Sequence, residues 1–311
     1  MSSSVNLAPS RFYRPPRTIW RVLLPYLLIT PPVFLILFCI VVPAVQAIIR
    51  TLVGQGEAIT GSLSLTRYIT FFQDKISVSN LWFTLQITIV SLVVLYIICF
   101  PLALYLRFSK SRLSSIVQTI ALFPLFVPGI ILGYALAQFL SALGPVNQLV
   151  KITGLKPLLD VGYHVLGVAG YRIPYLRPEG IVIGLVWESI PFTVLILSAG
   201  LGQIDDSLLE SARDVGASNR TILLRIILPL VRRSMTVALC LNFIGLFGSY
   251  TLPYLLGPAA PQMMSVFMQV TYGQYRGLRE AETQAVITFA ICVLVGLLYI
   301  RTVTRKNAWS R

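Results

Sequence analysis

Six long apolar runs, set apart by polar stretches, dominate the chain. They lie at about 22–49, 79–106, 115–141, 180–200, 234–257 and 283–303. About 20 mostly apolar residues are enough for an α-helix to cross the hydrocarbon core of a bilayer. Backbone amides in lipid must pair within their own segment, so such runs become helices. The pattern predicts an all-α polytopic membrane protein with six transmembrane helices. Residues 1–19 form a short basic tail ahead of one membrane domain, 20–311, with no internal repeat. Pro25, Pro31, Pro32, Pro43, Pro124, Pro128 and Pro191 fall inside the runs. Membrane helices tolerate proline where neighbouring groups satisfy the freed carbonyls.

Composition agrees with this reading. Apolar residues make up 56% of the 311 residues and charged ones 12%, against roughly 45–50% and 25% in soluble domains. The formal net charge of +14 would suggest a nucleic-acid partner in a soluble chain. Here it follows the rule that Lys and Arg collect in cytoplasmic loops, and no nucleic-acid partner is expected. Sixteen of the 25 basic residues lie on one face: Arg11, Arg14, Arg17 and Arg21; Arg107, Lys110 and Arg112; Arg213, Arg220, Arg225, Arg232 and Arg233; Arg301, Arg305, Lys306 and Arg311. Both termini are therefore expected in the cytoplasm. The first run is longer than the core of a cleavable signal and reads as a retained span. Four scattered cysteines and a single histidine, His164, offer neither a disulfide framework nor a metal set. No phosphate-binding loop of the G-x-x-x-x-G-K type occurs, so ATP would have to bind elsewhere.

Three stretches fall on the outer side, about 50–78, 142–179 and 258–282. The second is rich in Gly, Pro and Tyr and long enough to hold short interfacial helices. Two G-x-x-x-G pairs, Gly129/Gly133 and Gly180/Gly184, read as close helix packing within the bundle.

The polar interruption at 204–233 cannot sit in lipid, because it carries ionised Glu and Arg. Ser207 with Glu210 has the spacing of a capping box, and the pattern predicts a helix from about Ser207 to Val215. Gly216 can take a left-handed conformation and stop it. Ser218 or Asn219 can cap a second helix that re-enters the membrane at Leu228-Pro229. The result is a helix–glycine–helix elbow in water.

Glu210, Ala212, Gly216, Ile226, Leu228 and Pro229 fall at the spacing of the EAA loop, and the segment resembles that of binding-protein-dependent ABC importer permeases. Ser211 stands where the family most often has Ala. The resemblance implies the type I importer permease fold in a bacterial inner membrane. It implies docking of the loop on a cytoplasmic ATPase through Glu210, Ser211, Ala212, Arg213, Asp214, Gly216, Ala217, Ser218 and Pro229. It also implies partners: two ABC ATPase subunits that hold ATP and Mg, a second, homologous and non-identical permease, and a periplasmic or lipid-anchored solute-binding protein. No cofactor is implied in this chain, and no residue in it is expected to be catalytic. The Ala212–Ser218 run, Gly184-Leu185-Val186-Trp187 and Pro253–Gly257 look most like the spermidine/putrescine branch. Permeases for ferric iron, thiamine, phosphonate or sugar remain alternatives.

One carboxylate falls deep inside a run. Glu188 lies roughly 12 Å below the outer end of the fourth segment at 1.5 Å per residue. An ionisable group there faces the bundle interior or a wet pathway. With Trp187, Phe192, Tyr134, Phe247 and Tyr250 as aromatic walls, it would suit a small polycation by charge and cation–π attraction. An ion-gradient-driven transporter would show repeated halves, and a membrane enzyme would show a clustered constellation of chemical groups. The chain has neither.

Overall fold

The computed structural model describes residues 19–52, 63–109, 111–165 and 170–304, and those residues form an all-helical assembly. In chain order the helices are α1 (Ile19–Ile36), α2 (Val42–Leu52), α3 (Thr66–Gln73), α4 (Lys75–Phe108), α5 (Arg112–Leu122), α6 (Gly129–Leu140), α7 (Pro145–Ile152) and α8 (Lys156–Val165). There follow α9 (Pro178–Leu201), α10 (Asp206–Asp214), α11 (Asn219–Ile222), α12 (Leu228–Phe247), α13 (Thr251–Leu256), α14 (Met264–Gly273) and α15 (Leu278–Thr304). Five stretches are long and apolar enough to cross a membrane: Leu24–Leu52, Lys75–Phe108, Gly129–Ile152, Pro178–Leu201 and Leu278–Thr304.

Two of the six apolar runs depart from a simple span. The run at 115–141 breaks after a short 3-10 turn, Phe123–Phe126. Val127 is extended, at φ −101° and ψ 113°, because the ring of Pro128 disfavours helical backbone in the residue before it. The run at 234–257 is also divided. Its helix α12 starts earlier, at Leu228, and takes Arg232 and Arg233 into its first turns; it stops at Phe247, and α13 begins at Thr251. The stretch 142–179 holds α7 and α8, as its length suggested, and 258–282 holds α14 and the first turn of α15.

Two π turns have one cause. Leu37–Val41 precedes Pro43, and Leu223–Ile227 precedes Pro229. Each proline lacks the N–H that the carbonyl four residues back would accept, and its ring crowds that carbonyl. In both places the residue before the proline bonds five back, Val42 N to Leu37 O and Leu228 N to Leu223 O. The helix widens by one residue and continues.

Helices α4 and α9 pack along their length and form the centre, with α12 against both. One buried cluster joins Leu95, Cys99 and Ala103 of α4 to Val194, Leu197 and Leu201 of α9, and extends to Leu209, Ile222 and Val231. A second, toward the other end, joins Phe83 and Ile87 to Ile181, Leu185, Leu252 and Leu256. The Gly-x-x-x-Gly pairs serve this packing. A Cβ at Gly133 would stand 2.4 Å from Leu255 Cδ1, and one at Gly184 would stand 2.9 Å from Leu256 Cδ1.

Buried polar side chains pin the elements together. Asn80 Oδ1 and Thr84 Oγ1 of α4 accept from the backbone N–H groups of Gln262 and Met264, each at 2.8 Å. Asn242 Nδ2 of α12 donates to Thr193 Oγ1 of α9 at 2.9 Å. Tyr96 Oη donates to the Met235 carbonyl at 2.7 Å. Asp74 caps α4 by accepting from Ile76 N, Ser77 N and Ser77 Oγ. The Ser77 hydroxyl, followed by the two backbone bonds, holds its carboxyl below the ordinary carboxylate range. Outside, large apolar side chains such as Leu28, Phe34, Ile97 and Leu294 are exposed. So much exposed apolar surface is a lipid-facing belt.

Candidate functional site

The polar loop folds as a fixed elbow. α9 ends at Leu201 and α10 begins at Asp206. The predicted capping box is absent. Asp205 holds the N-cap position without a side-chain bond, and Ser207 lies inside the helix, where its carbonyl accepts from Ser211 Oγ at 2.8 Å. The other end closes as predicted. Gly216 has φ +81°. Its N–H donates to Arg213 O at 2.8 Å, and Ala217 N donates to Ala212 O at 3.0 Å. These are the paired bonds of a Schellman turn. Ser218 then caps α11, accepting from Thr221 N at 3.3 Å. The following turn widens before Pro229 and leads into α12.

The elbow has an inner and an outer side. Leu209 is buried, and Ala212 and Ala217 pack against the α4–α9 cluster. Glu210, Ser211, Arg213, Asp214, Gly216 and Ser218 are exposed, and Val215 at the tip is 85% exposed. Glu210, Arg213 and Asp214 make no ion pair among the described residues.

Arg107, which the sequence offered only as a topology charge, holds the start of the elbow. It is the penultimate residue of α4. Its Nε donates to Leu201 O at 3.3 Å, and one Nη donates to Ile204 O at 3.1 Å and to Asp206 Oδ1 at 2.7 Å. A planar cation at the C-terminal carbonyls of α9 also complements that helix dipole. Its partners lie 94 to 99 residues away in the chain, so no local pattern announces them. An Arg that ends a long apolar helix beside a polar loop is the available signal.

The second candidate region is a cavity of about 260 Å³ between α9 and α12. Leu185, Glu188, Ser189 and Phe192 line it from α9, and Leu241, Asn242, Gly245, Leu246 and Ser249 face them. The α9 set is spaced i, i+3, i+4, i+7, one face of a helix. Glu188 is the eleventh residue of α9, near its middle. Gly129, the first residue of α6, leaves room for it: a Cβ there would stand 3.1 Å from Glu188 Oε1.

Of the five aromatics expected around Glu188, only Phe192 shares the cavity. Trp187 is turned about 100° away and packs in the second core cluster. Phe247 is fully buried and stacked on Phe243 at 5.3 Å. Tyr250 stacks on Tyr254 at 5.4 Å, and Tyr134 is exposed on α6. An aromatic-walled acid is not what the helices assemble. The acid instead faces Leu241, Asn242, Gly245 and Leu246 of α12, with Ser249 just beyond that helix. No group of three or more metal-ligating side chains occurs among the described residues.

Comparison with known proteins adds the family. Residues 98–306 match the family described as the binding-protein-dependent transport system inner membrane component. The spermidine/putrescine transport system permease protein PotB of Escherichia coli (strain K12) is 23% identical over 227 residues, covering 73% of this chain and 77% of that protein. The sulfoquinovosyl glycerol transport system permease protein SmoG of Agrobacterium fabrum is 25% identical over 308 residues, covering 92% of each. Among solved structures, a bacterial ABC transporter involved in the import of the acidic polysaccharide alginate superposes with a TM-score of 0.73 at 20% identity, covering 93% of this chain and 98% of that one. The MetNI methionine ABC transporter gives 0.52 at 18% identity, covering 77% and 97%. With more than half of its length matched, the chain belongs to the family of inner-membrane permease components of binding-protein-dependent transport systems, and it is a transport subunit of an ABC importer and not an enzyme.

Proposed function

We propose that the elbow at 204–233 is the surface on which a cytoplasmic ATPase docks, and that its motion drives the membrane helices. The observation that carries this reading is the elbow's construction. An apolar side chain, Val215, stands exposed at the tip of a helix closed by a Schellman turn, while Leu209 and Ala212 anchor the helix, and Ala217 the turn, from beneath. A surface fixed from inside, with an apolar tip ringed by exposed polar side chains, suits a rigid contact with another subunit. In this reading Glu210, Arg213 and Asp214 supply polar contacts around that tip. Two ATPase subunits holding ATP and Mg, a second homologous permease and a solute-binding protein complete the transporter. The chain spans a bacterial inner membrane six times, with α5–α6 and α12–α13 as the two interrupted crossings. Both termini and the elbow lie on the cytoplasmic side, where the basic residues concentrate. Val215→Glu is expected to abolish co-purification of an ABC ATPase with the tagged chain while leaving its membrane insertion intact. Unchanged recovery of the ATPase would remove the docking role.

For the solute, a small cation such as a polyamine is the reading we favour. Its support is the Glu188 carboxylate in a cavity half-way along α9, together with the likeness to PotB. The longer match to SmoG favours a second reading, a sugar-like solute. Uptake of labelled putrescine and of a sulfoquinovosyl glycerol in cells expressing the full system separates the two. Transport of the second alone would discard the cation reading.

A further inference from the structure

A cavity of about 660 Å³ opens between α3, α4, α14 and α15. It lies at the opposite end of α4 from Arg107, about 50 Å away at 1.5 Å per residue. Its volume falls within the ~300–1,000 Å³ of small-molecule sites. It takes no part in the elbow or in the Glu188 cavity.

Two buried polar atoms on its wall have no partner, Arg67 Nη2 and Gln284 Oε1. Gln284 is only 3% exposed, and its amide nitrogen donates to Thr271 Oγ1 at 3.3 Å. The amide oxygen is the end left over. A buried donor and a buried acceptor, carried by residues that line one cavity and both without protein partners, leave polar capacity that a bound group can complete. The charges narrow the choice. Asp74 spends its carboxylate on the cap of α4. Glu280 lines the same cavity and forms no ion pair among the described residues. The cavity therefore offers the guanidinium groups of Arg67 and Arg279, neither in an ion pair among the described residues, for an oxyanion, and the Glu280 carboxylate with the Gln284 amide oxygen for an ammonium. Phe71 and Phe267 supply apolar wall between them. Ile76 also lines the cavity and is 64% exposed.

We propose that this cavity is a binding site for a zwitterion of the phosphoethanolamine class, the phosphate oxygens on Arg67 and the ammonium on Glu280 and Gln284. The apolar wall and the cavity's place at the end of two membrane-length helices favour the headgroup of a membrane lipid as the source. A free phosphoethanolamine-type solute carries the same chemistry.

The proposal stands independently of the transported solute. Its test is binding to the purified, delipidated transporter complex, read by native mass spectrometry. Three probes separate the cases: dihexanoyl phosphatidylethanolamine, dihexanoyl phosphatidylglycerol, and glycerophosphoethanolamine, which has the headgroup and no chains. The ethanolamine lipid is expected to bind at least about tenfold tighter than the glycerol lipid, the effect of one charge-assisted bond. Arg67→Gln and Glu280→Gln should each weaken it by a similar factor. Both residues sit outside the packed core, and an unchanged melting temperature verifies that the variants are folded. Binding of glycerophosphoethanolamine as tight as that of the short-chain lipid supports the site and assigns its ligand to a free solute; much weaker binding supports it and assigns a lipid. Equal binding of the two lipids, or variants that bind like the native chain, overturns the proposal.

Discussion

Replacing Gly216 tests the elbow as a backbone device. Its φ of +81° lies in the left-handed region, and a Cβ built there would meet nothing within 4 Å. A side chain at 216 therefore meets no clash within the chain, and the cost falls on the backbone alone. Left-handed backbone costs an L-residue roughly 1–2 kcal/mol, and a β-branched one is a genuine outlier there. Gly216→Val should thus lower the population of the closed elbow about 5- to 30-fold. Leu209 on one side and Ile222 on the other keep their burial, so the bundle itself should melt unchanged. The assay is reconstitution of the full transporter in liposomes, with ATP hydrolysed and solute accumulated measured on the same preparation. Solute moved per ATP is expected to fall in Gly216→Val, to fall less in Gly216→Ala, and to be largely restored in Gly216→Asn, because Asn enters the left-handed region more readily. A wild-type ratio in the valine variant would refute the reasoning. So would an asparagine variant as impaired as the valine one, since the defect would then be a lost contact and not a backbone conformation.

Other expectations follow from the pinning bonds. Arg107→Ala removes the donors to Leu201 O, Ile204 O and Asp206; bonds from a charged group contribute about 1.5–3 kcal/mol, and the exposed Asp206 pair contributes at most about 1. Amide exchange over 205–214 should accelerate while α9 stays protected, and equal exchange in both proteins would show that Arg107 is dispensable. Asn80→Ala leaves the Gln262 N–H without its acceptor, at about 1–3 kcal/mol, and should lower the melting temperature of the purified chain; an unchanged midpoint would count against that anchor. Glu188→Gln should slow uptake of a cationic solute about tenfold, the loss of roughly 1.4 kcal/mol of attraction, and leave a neutral solute unaffected. Equal uptake of the cation would make Glu188 structural.

The legible parts of the fold are those whose cause is local. The apolar runs need only composition, and the elbow's stop needs only Gly216 and the five residues before it. The breaks were harder to read because proline alone does not decide them. Pro191 is buried near the centre of α9, which α4 and α12 pack against, and the helix passes it without a break. Pro128 is exposed at the edge of the bundle, while Val127 before it packs extended against the second buried cluster, and the chain turns there. The start of α10 failed for the opposite reason. Ser207 and Glu210 have the right spacing, but Arg107 already holds Asp206 and the carbonyls of Leu201 and Ile204 from 94 to 99 residues away. A tertiary cation replaced the local cap. The cavity around Glu188 was legible in part, since Phe192 is one helical turn on and Trp187 is off the face by its spacing alone. That Asn242 and Gly245 would face them depends on how α12 packs.

The same long-range bonds explain why α4 is the element to watch in motion. It runs unbroken from Lys75 to Phe108, with Pro101 accommodated inside it. At one end Arg107 grips the last turn of α9 and the first residue of the elbow together, so a displacement of α10 cannot move one span without the other. Near the other end Asn80 and Thr84 carry the backbone of Gln262 and Met264, which leads directly into α14 and the wall of the larger cavity. A helix is stiff over this distance, and its hydrogen-bonded attachments at both ends are fixed by geometry and not by loose packing. A tilt begun at the elbow therefore reaches the far end as a rigid-body rotation of α4 and α9. The segments that hang from α4 must follow it or break buried hydrogen bonds at about 1–3 kcal/mol each.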